Sequence, residues 1–358
     1  MRVAIDISQT IFGTGVSSYT KHLVQALIDQ DHENQYILFG GSLRRYKELK
    51  NLAGTFKGNN ILTKIFAYPP VFSDLVWNKL HIMPVEKLIG QIDVLHTSDW
   101  TEPPSSAFKV TTVHDLYPLK FPRLVHPTVL EVHKKKLSWV FKETSRIIVP
   151  SLSTKKDLLD LGVSENIIRV IPEAPVVSKT TEIDTERAKK KFGINGDYLI
   201  AVGATPLKNT KRIIDAFNLT RAGKELKLVI VGRPSNIALK EERNVRILGY
   251  VAEGDYAALL TGATALVFAS IYEGYGIPIL DAFSCGVPVV TSSTSSMPEV
   301  AGEAAVLVDP ESTDSIAEGI LKAIRGRKGL IEKGNDRVKE FSWKKTAKMT
   351  LDVYNESI

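Results

Sequence analysis

Cysteine is nearly missing from this chain: Cys285 is the one such residue among 358. No internal disulfide can form, so a disulfide-stapled module is excluded and the fold must rest on its core. Cys285 lies in the apolar stretch Ala282-Phe283-Ser284-Cys285-Gly286 and reads as a packed small residue rather than a nucleophile. Also missing is any run approaching the ~18–20 apolar residues that a membrane-spanning helix needs. The opening residues Met1-Arg2-Val3-Ala4-Ile5-Asp6 enter a strand pattern at once. They lack the hydrophobic stretch and small-residue cleavage site of a signal peptide, so a cytoplasmic location is expected. No His/Cys cluster points to zinc, and neither a P-loop nor a Ser-His-Asp arrangement is present. Asp29-Gln30-Asp31 has the formal spacing of a metal-bridging pair, but it stands in a polar stretch at a helix end and reads as a solvated cap. No metal site is expected.

What the chain does have is positive charge. Lys and Arg number 46 against 40 Asp and Glu, a net charge of +6. Such an excess suits nucleic acid, anionic lipid or a phosphorylated substrate. No RNP, zinc-finger or basic-zipper pattern appears, so nucleic acid is the least supported of the three. The densest cluster, Lys134-Lys135-Lys136, is followed by Trp139 and Phe141. It reads as a solvated helix face or as an interfacial patch touching anionic lipid, a peripheral contact at the inner face of a membrane.

Short apolar, β-rich runs alternate with segments of helical length from end to end. The strand candidates are 3–7, 36–39, 61–66, 94–97, 110–114, 147–150 and 168–172, then 198–203, 226–232, 245–248, 265–269, 287–291 and 305–308. Fully apolar strands separated by helices predict parallel sheets covered on both faces. Two such series predict an α/β protein of two Rossmann-like, doubly wound domains facing a cleft. The seam falls where Pro172, Pro175 and the polar stretch 178–186 interrupt the pattern. This divides the chain into 1–174, 175–341 and a last helix, 342–358. That helix carries Trp343, Ala347, Leu351 and Tyr354 near one face and is expected to pack back on the first domain.

The most informative segment is Glu273 to Val290, EGYGIPILDAFSCGVPVV. A strand ends at Ala269, and a loop with Gly274 and Gly276 follows. Pro278 then suits the first turn of a helix, where its missing N–H costs nothing. Glycines before a helix N-terminus let backbone amides approach an anion, and the helix dipole adds roughly half a positive charge there. This is a ready diphosphate site. One carboxylate, Glu273, precedes the helix, and a second, Asp281, lies within it.

At this segment the chain resembles glycosyltransferase family 4, which has the GT-B fold. The family's mark is an acidic residue, a Gly-aromatic-Gly-aliphatic-Pro run and a second acidic residue eight positions after the first. Glu273, Gly274, Tyr275, Gly276, Ile277, Pro278 and Asp281 stand in those places, with Cys285, Gly286, Pro288, Val289 and Val290 completing the pattern. Asp281 departs from it, because the family usually has Glu there. The resemblance implies that Glu273 faces the transferred sugar, that residues 274–277 bind the donor and that Asp281 reaches its ribose. In Val202–Phe217 the step Lys208-Asn209 matches the family's diphosphate loop, with Leu207 and Ala204 where relatives often carry Arg. Lys208 then carries more of the charge, aided by Arg212 one turn on. Gly13-Thr14-Gly15 after the first strand implies a loop closing over the diphosphate. His114, in VTTVHDL, implies a contact with the hydroxyls of the transferred sugar. Tyr250 and Arg233 fall beside the expected nucleobase and ribose, and Glu299 reads as supporting structure.

The resemblance thus implies a retaining hexosyltransferase that uses a nucleotide-diphosphate sugar, with catalytic roles for Glu273, His114 and Lys208. No cofactor or obligatory metal is implied. The acceptor would be a glycan or lipid-linked molecule of cell-surface polysaccharide synthesis, with mannose or rhamnose as the guessed sugar. A weakly active or inactive sugar-nucleotide-binding protein is the alternative, prompted by Asp281 and the thinned cation loop.

Overall fold

The computed structural model describes residues 1–98, 100–220, 226–239 and 242–358. The chain forms two compact units: Met1–Glu173 with Ser342–Ile358, and Ala174–Phe341.

Unit 1 holds seven strands: β1 (Arg2–Asp6), β2 (Gln35–Gly41), β3 (Ile61–Phe66), β4 (Val94–Thr97), β5 (Phe108–Thr112), β6 (Arg146–Val149) and β7 (Ile168–Val170). They pair in parallel in the order β3-β2-β1-β4-β5-β6-β7. Val3, Ile5, Tyr36, Leu38, Val94 and Val110 fill one side of the sheet. Ala4, Ile37, Phe39 and Leu95 fill the other. Burial on both faces is why these strands are continuous apolar runs rather than alternating ones.

Helix α1 (Gly15–Gln30) follows β1, and Thr14 caps it: its hydroxyl accepts from Ser17 N–H while its own N–H donates to Ser17 Oγ at 3.1 Å. At the other end of α1, Asp31 is not the solvated cap expected. It is buried and accepts from Tyr36 Oη at 2.5 Å and Asn34 Nδ2 at 2.6 Å, tying the turn into β2. Helix α2 (Pro127–Glu143) carries the lysine cluster. Only part of that cluster is on the surface. Lys136 is buried beside Leu137 and Val140, and its ammonium donates to the Ser98 carbonyl. Trp139 stacks on His81 with centroids 3.6 Å apart.

Unit 2 holds β8 (Asp197–Ala204), β9 (Leu226–Pro234), β10 (Val245–Gly249), β11 (Ala265–Phe268), β12 (Val289–Ser292) and β13 (Val306–Val308), in the order β10-β9-β8-β11-β12-β13. Every pair in this sheet is parallel. Helix α3 (Thr210–Leu219) follows β8, and helix α4 (Ile277–Ser284) follows β11. All thirteen strand segments read from the sequence are present, with ends shifted by a few residues. β5 stops at Thr112, so His114 sits two residues beyond the strand.

The last helix, α5 (Trp343–Asn355), belongs to unit 1 and lies on α1. Ala347, Val353 and Tyr354 join Tyr19, Leu23 and Leu27 in one core. Two polar bonds fix the docking. Thr346 Oγ1 donates to the Pro172 carbonyl at 2.7 Å, and Tyr354 Oη meets His96 Nδ1 at 2.6 Å. Burial pushes the His96 imidazole down to about 3, so it stays neutral in that contact.

Candidate functional site

In unit 2 the strand order reverses between β8 and β11. Open parallel sheets take ligands beyond the strand ends at such a point. Lys208 follows β8 and Glu273 follows β11, and the fold brings them together: Nζ lies 2.5 Å from Oε1. The ammonium also sits 5.3 Å from the centre of the Phe268 ring. Glycine makes this approach feasible. Gly203 has φ +89°, and a Cβ on it would meet Lys208 Cγ at 2.5 Å. Any side chain there would push the lysine stem off the strand end.

Asn209, at φ +59°, precedes α3, and its buried amide donates to the carbonyls of Ala269 and Pro310 at 2.9 and 2.6 Å. Arg212, the expected aid to Lys208 at the diphosphate, lies in the first turn of α3. Its Nη1 donates to Asn209 Oδ1 at 2.7 Å and to the Pro310 carbonyl at 2.9 Å, bracing the loop from behind. One helical turn carries residue 212 away from Lys208 toward that loop.

Glu273 is held from the backbone as well. Ser295 Oγ donates to its carbonyl at 2.6 Å and accepts from its N–H at 3.3 Å. Ser296 Oγ lies 2.6 Å from the Tyr275 carbonyl. The loop then enters α4 at Gly276, φ +118°, with Pro278 in the first turn. Gly274 and Ile277 belong to the same loop, but the Tyr275 ring is buried in the core, so only its backbone can face a ligand. The side chain of Glu273 keeps 13% of its surface exposed and that of Lys208 29%. The pair is thus partly desolvated yet open to a ligand.

Asp281, whose expected contact is the donor ribose, lies inside unit 2. It is 2% exposed, and its Oδ1 accepts from Val176 N–H at 2.8 Å and Val177 N–H at 3.3 Å. Tyr256 Oη lies 3.4 Å from Oδ2. One turn into α4, position 281 faces inward, where a short carboxylate meets the first backbone amides of unit 2. Burial raises its carboxyl to about 7, against the pull of these hydrogen bonds. Elsewhere in unit 2, Arg233, near the end of β9, lies over the Tyr250 ring at 5.8 Å, and that ring is 61% exposed. Gly249 before it has φ +67°.

In unit 1, His114 sits in a cage built by distant segments. Ser98 Oγ, just past β4, is 3.0 Å from Nε2, and Glu173 Oε1 is 3.3 Å from Nδ1. Tyr19 of α1 meets the ring edge-on at 4.6 Å. The Gly13 loop follows β1, with φ +68° at Gly13 and open space around a Cβ at Gly15. Sequence reasoning missed Ser98, Glu173, Tyr19 and Ser295. Glu173 had a signal: a lone acid between Pro172 and Pro175, in a stretch that drew notice only as a seam.

The description "Glycosyl transferases group 1" matches residues 182–340, and "Glycosyltransferase Family 4" matches residues 13–174. The O-antigen chain mannosyltransferase B of Escherichia coli is 41% identical over 113 residues, covering 31% of this chain and 30% of that protein. An MMP alpha-(1->4)-mannosyltransferase of Mycolicibacterium hassiacum is 28% identical over 229 residues, covering 59% of this chain and 54% of that one. The chain therefore matches about a third to a half of the length of these two relatives. Among solved structures, Anabaena HepE, determined with UDP and glucose, superposes with a TM-score of 0.71 at 14% identity, covering 99% of this chain and 100% of that one. At that identity the likeness speaks for the fold. The two glycosyltransferase family models match one unit each and together span nearly the whole chain: it belongs to glycosyltransferase family 4.

Proposed function

We propose that the protein transfers a hexosyl group, with retention, from a nucleotide-diphosphate sugar to a glycan or lipid-linked acceptor of cell-surface polysaccharide synthesis. The observation that carries this reading is the Lys208–Glu273 pair at the strand reversal of unit 2. With donor bound, Lys208 turns to the diphosphate, and Glu273 is released to accept from a sugar hydroxyl. The glycine-lined loop and the N-terminus of α4 add backbone donors to the phosphates. The acceptor hydroxyl attacks the anomeric carbon from the side of the leaving group. The bond from that carbon to the phosphate oxygen breaks, and the proton passes to a phosphate oxygen. Electrostatic stabilisation of the departing diphosphate is then the protein's main task, and no protein nucleophile is needed.

Mannose is the favoured sugar, supported by the mannosyltransferases among the relatives, with rhamnose as the other candidate. Incubation with a panel of GDP-, UDP- and dTDP-sugars tests this. Transfer and a raised melting temperature are expected with GDP-mannose, and the product's anomeric coupling constant should match the donor's configuration. Turnover should survive a metal chelator. A second reading, donor binding without turnover, is prompted by the burial of Asp281 against the Val176 and Val177 amides. It predicts a melting shift with no transfer to any acceptor.

The peripheral membrane contact is part of the same proposal, and exposed residues near the lysine cluster support it. Lys136 is buried, but Lys134 and Lys142 remain outward on α2 beside Phe141. Val71, Phe72, Leu75, Leu80 and Ile82 are exposed on the neighbouring segment, which Trp139 Nε1 joins by donating to the Asn78 carbonyl at 2.8 Å. Apolar groups beside lysines suit an anionic lipid surface on the cytoplasmic side. Cosedimentation with phosphatidylglycerol vesicles, lost on Phe72→Ser with Leu75→Ser, is the expected result.

A further inference from the structure

His114 has a defined partner on each ring nitrogen, and the chemistry of those partners fixes its protons. Glu173 is buried, and an ionised carboxylate can only accept hydrogen bonds. The contact at 3.3 Å therefore requires the proton on Nδ1. In the Nδ1–H tautomer Nε2 carries the lone pair, and the 3.0 Å contact is then a donation from the Ser98 hydroxyl. The opposite tautomer would set the Nδ1 lone pair against a carboxylate oxygen. Tyr19 meets the ring edge-on at 4.6 Å and packs against it in this orientation. Ser98 is fixed in turn by Lys136, whose buried ammonium holds its carbonyl.

We infer that Glu173 is a positioning residue that locks His114 in the Nδ1-protonated form, making Nε2 a pure hydrogen-bond acceptor. The Ser98 hydroxyl then occupies the place that a substrate hydroxyl takes. His114 reads its sugar as a donor of a hydrogen bond, and a substrate oxygen without a proton is not accepted there. The substrate half of this statement rests on the glycosyl-transfer reading; the tautomer does not.

Long-range ¹⁵N–¹H correlation spectra of the histidine rings in the whole protein, without ligand at neutral pH, decide the first half. The wild type should show the Nδ1–H pattern for His114, assigned by its loss in His114→Gln. Glu173→Ala should shift the ring toward the Nε2–H form or a mixture, and Glu173→Gln should restore part of the Nδ1–H signal. A wild-type His114 in the Nε2–H form overturns the inference without any variant, as does a Glu173→Ala protein that melts like wild type and keeps the tautomer. For the second half, Glu173→Ala should lower kcat/KM about tenfold, with partial rescue by Gln, and a donor with fluorine at the hydroxyl facing His114 should lose that sensitivity. An altered tautomer with unchanged turnover would refute the substrate role while leaving the transfer reading in place.

Discussion

The Lys208–Glu273 site and the His114 cage are built in opposite ways. In unit 2, two short stretches carry the facing side chains: residues 203–212 at and beyond the end of β8, and 270–281 after β11. In unit 1, the ring of His114 is held by residues 19, 98 and 173, from α1, the segment after β4 and the segment after β7. A phosphate asks for backbone amides and a cation, which a glycine loop and one lysine provide locally. An oriented imidazole asks for partners at two opposed nitrogens, and these must come from elsewhere in the fold.

The sharpest way to break this contrast is Glu273→Gln. The substitution keeps the shape and removes the charge that balances Lys208. A loss of about 10²–10³-fold in kcat is expected, on the scale of one well-placed electrostatic group, with a native melting curve. Wild-type turnover on the true acceptor would show that the pair is not the reacting centre.

Next in size is Lys208→Ala. It removes a charge-assisted contact worth ~1.5–3 kcal/mol, so nucleoside diphosphate binding should weaken by roughly ten- to a hundredfold. Nucleoside binding should barely change, because the base is held elsewhere. Calorimetric titration with both ligands is the check, and equal losses would dissolve the local, phosphate-directed character of this site.

The Asp281 carboxyl sharpens the comparison in a different way, since it lies in the local segment yet makes distant contacts. Its folded-state value is near 7 and its ordinary one near 3.8. Between those values the folded protein holds a proton that the unfolded chain has lost, so stability should fall as pH rises from about 4 to 7 and then level off. Asp281→Asn removes that titration and keeps an oxygen for the Val176 and Val177 amides. The variant's melting temperature should gain on wild type across this window, by several degrees at its upper end, and track it below pH 4. Parallel curves throughout would show that the group titrates normally.

The smallest effect is expected at Tyr250. Its exposed ring under Arg233 offers a face for a base. Stacking of that kind amounts to ~1 kcal/mol, so Tyr250→Ala should weaken nucleoside binding about fivefold and Tyr250→Phe should leave it unchanged. An equal loss in both would point to the hydroxyl instead.

The same contrast explains what could be read beforehand. The strands were legible because strands buried on both faces are continuous runs of Val, Ile and Leu, as in Leu228–Val231. The loop from Glu273 to Pro278 was legible because its glycines, proline and acid are adjacent. Three things were not. Asp281 was assigned by its place in a motif, whereas its role depends on which way α4 is rotated. Lys136 was counted with its neighbours on the surface, although its spacing to Val140 put it on the apolar side of α2. Glu173 is separated from His114 by 59 positions, and only the folded sheet brings them within reach.

The placement of α5 makes unit 1 discontinuous in the chain. Unit 2 is complete at Phe341, while unit 1 still lacks the helix that carries Ala347, Val353 and Tyr354 into its core. Without α5, His96 lacks its Tyr354 partner and that side of α1 is uncovered. A chain truncated after Phe341 would keep every residue of unit 2 and leave unit 1 without the helix that covers α1.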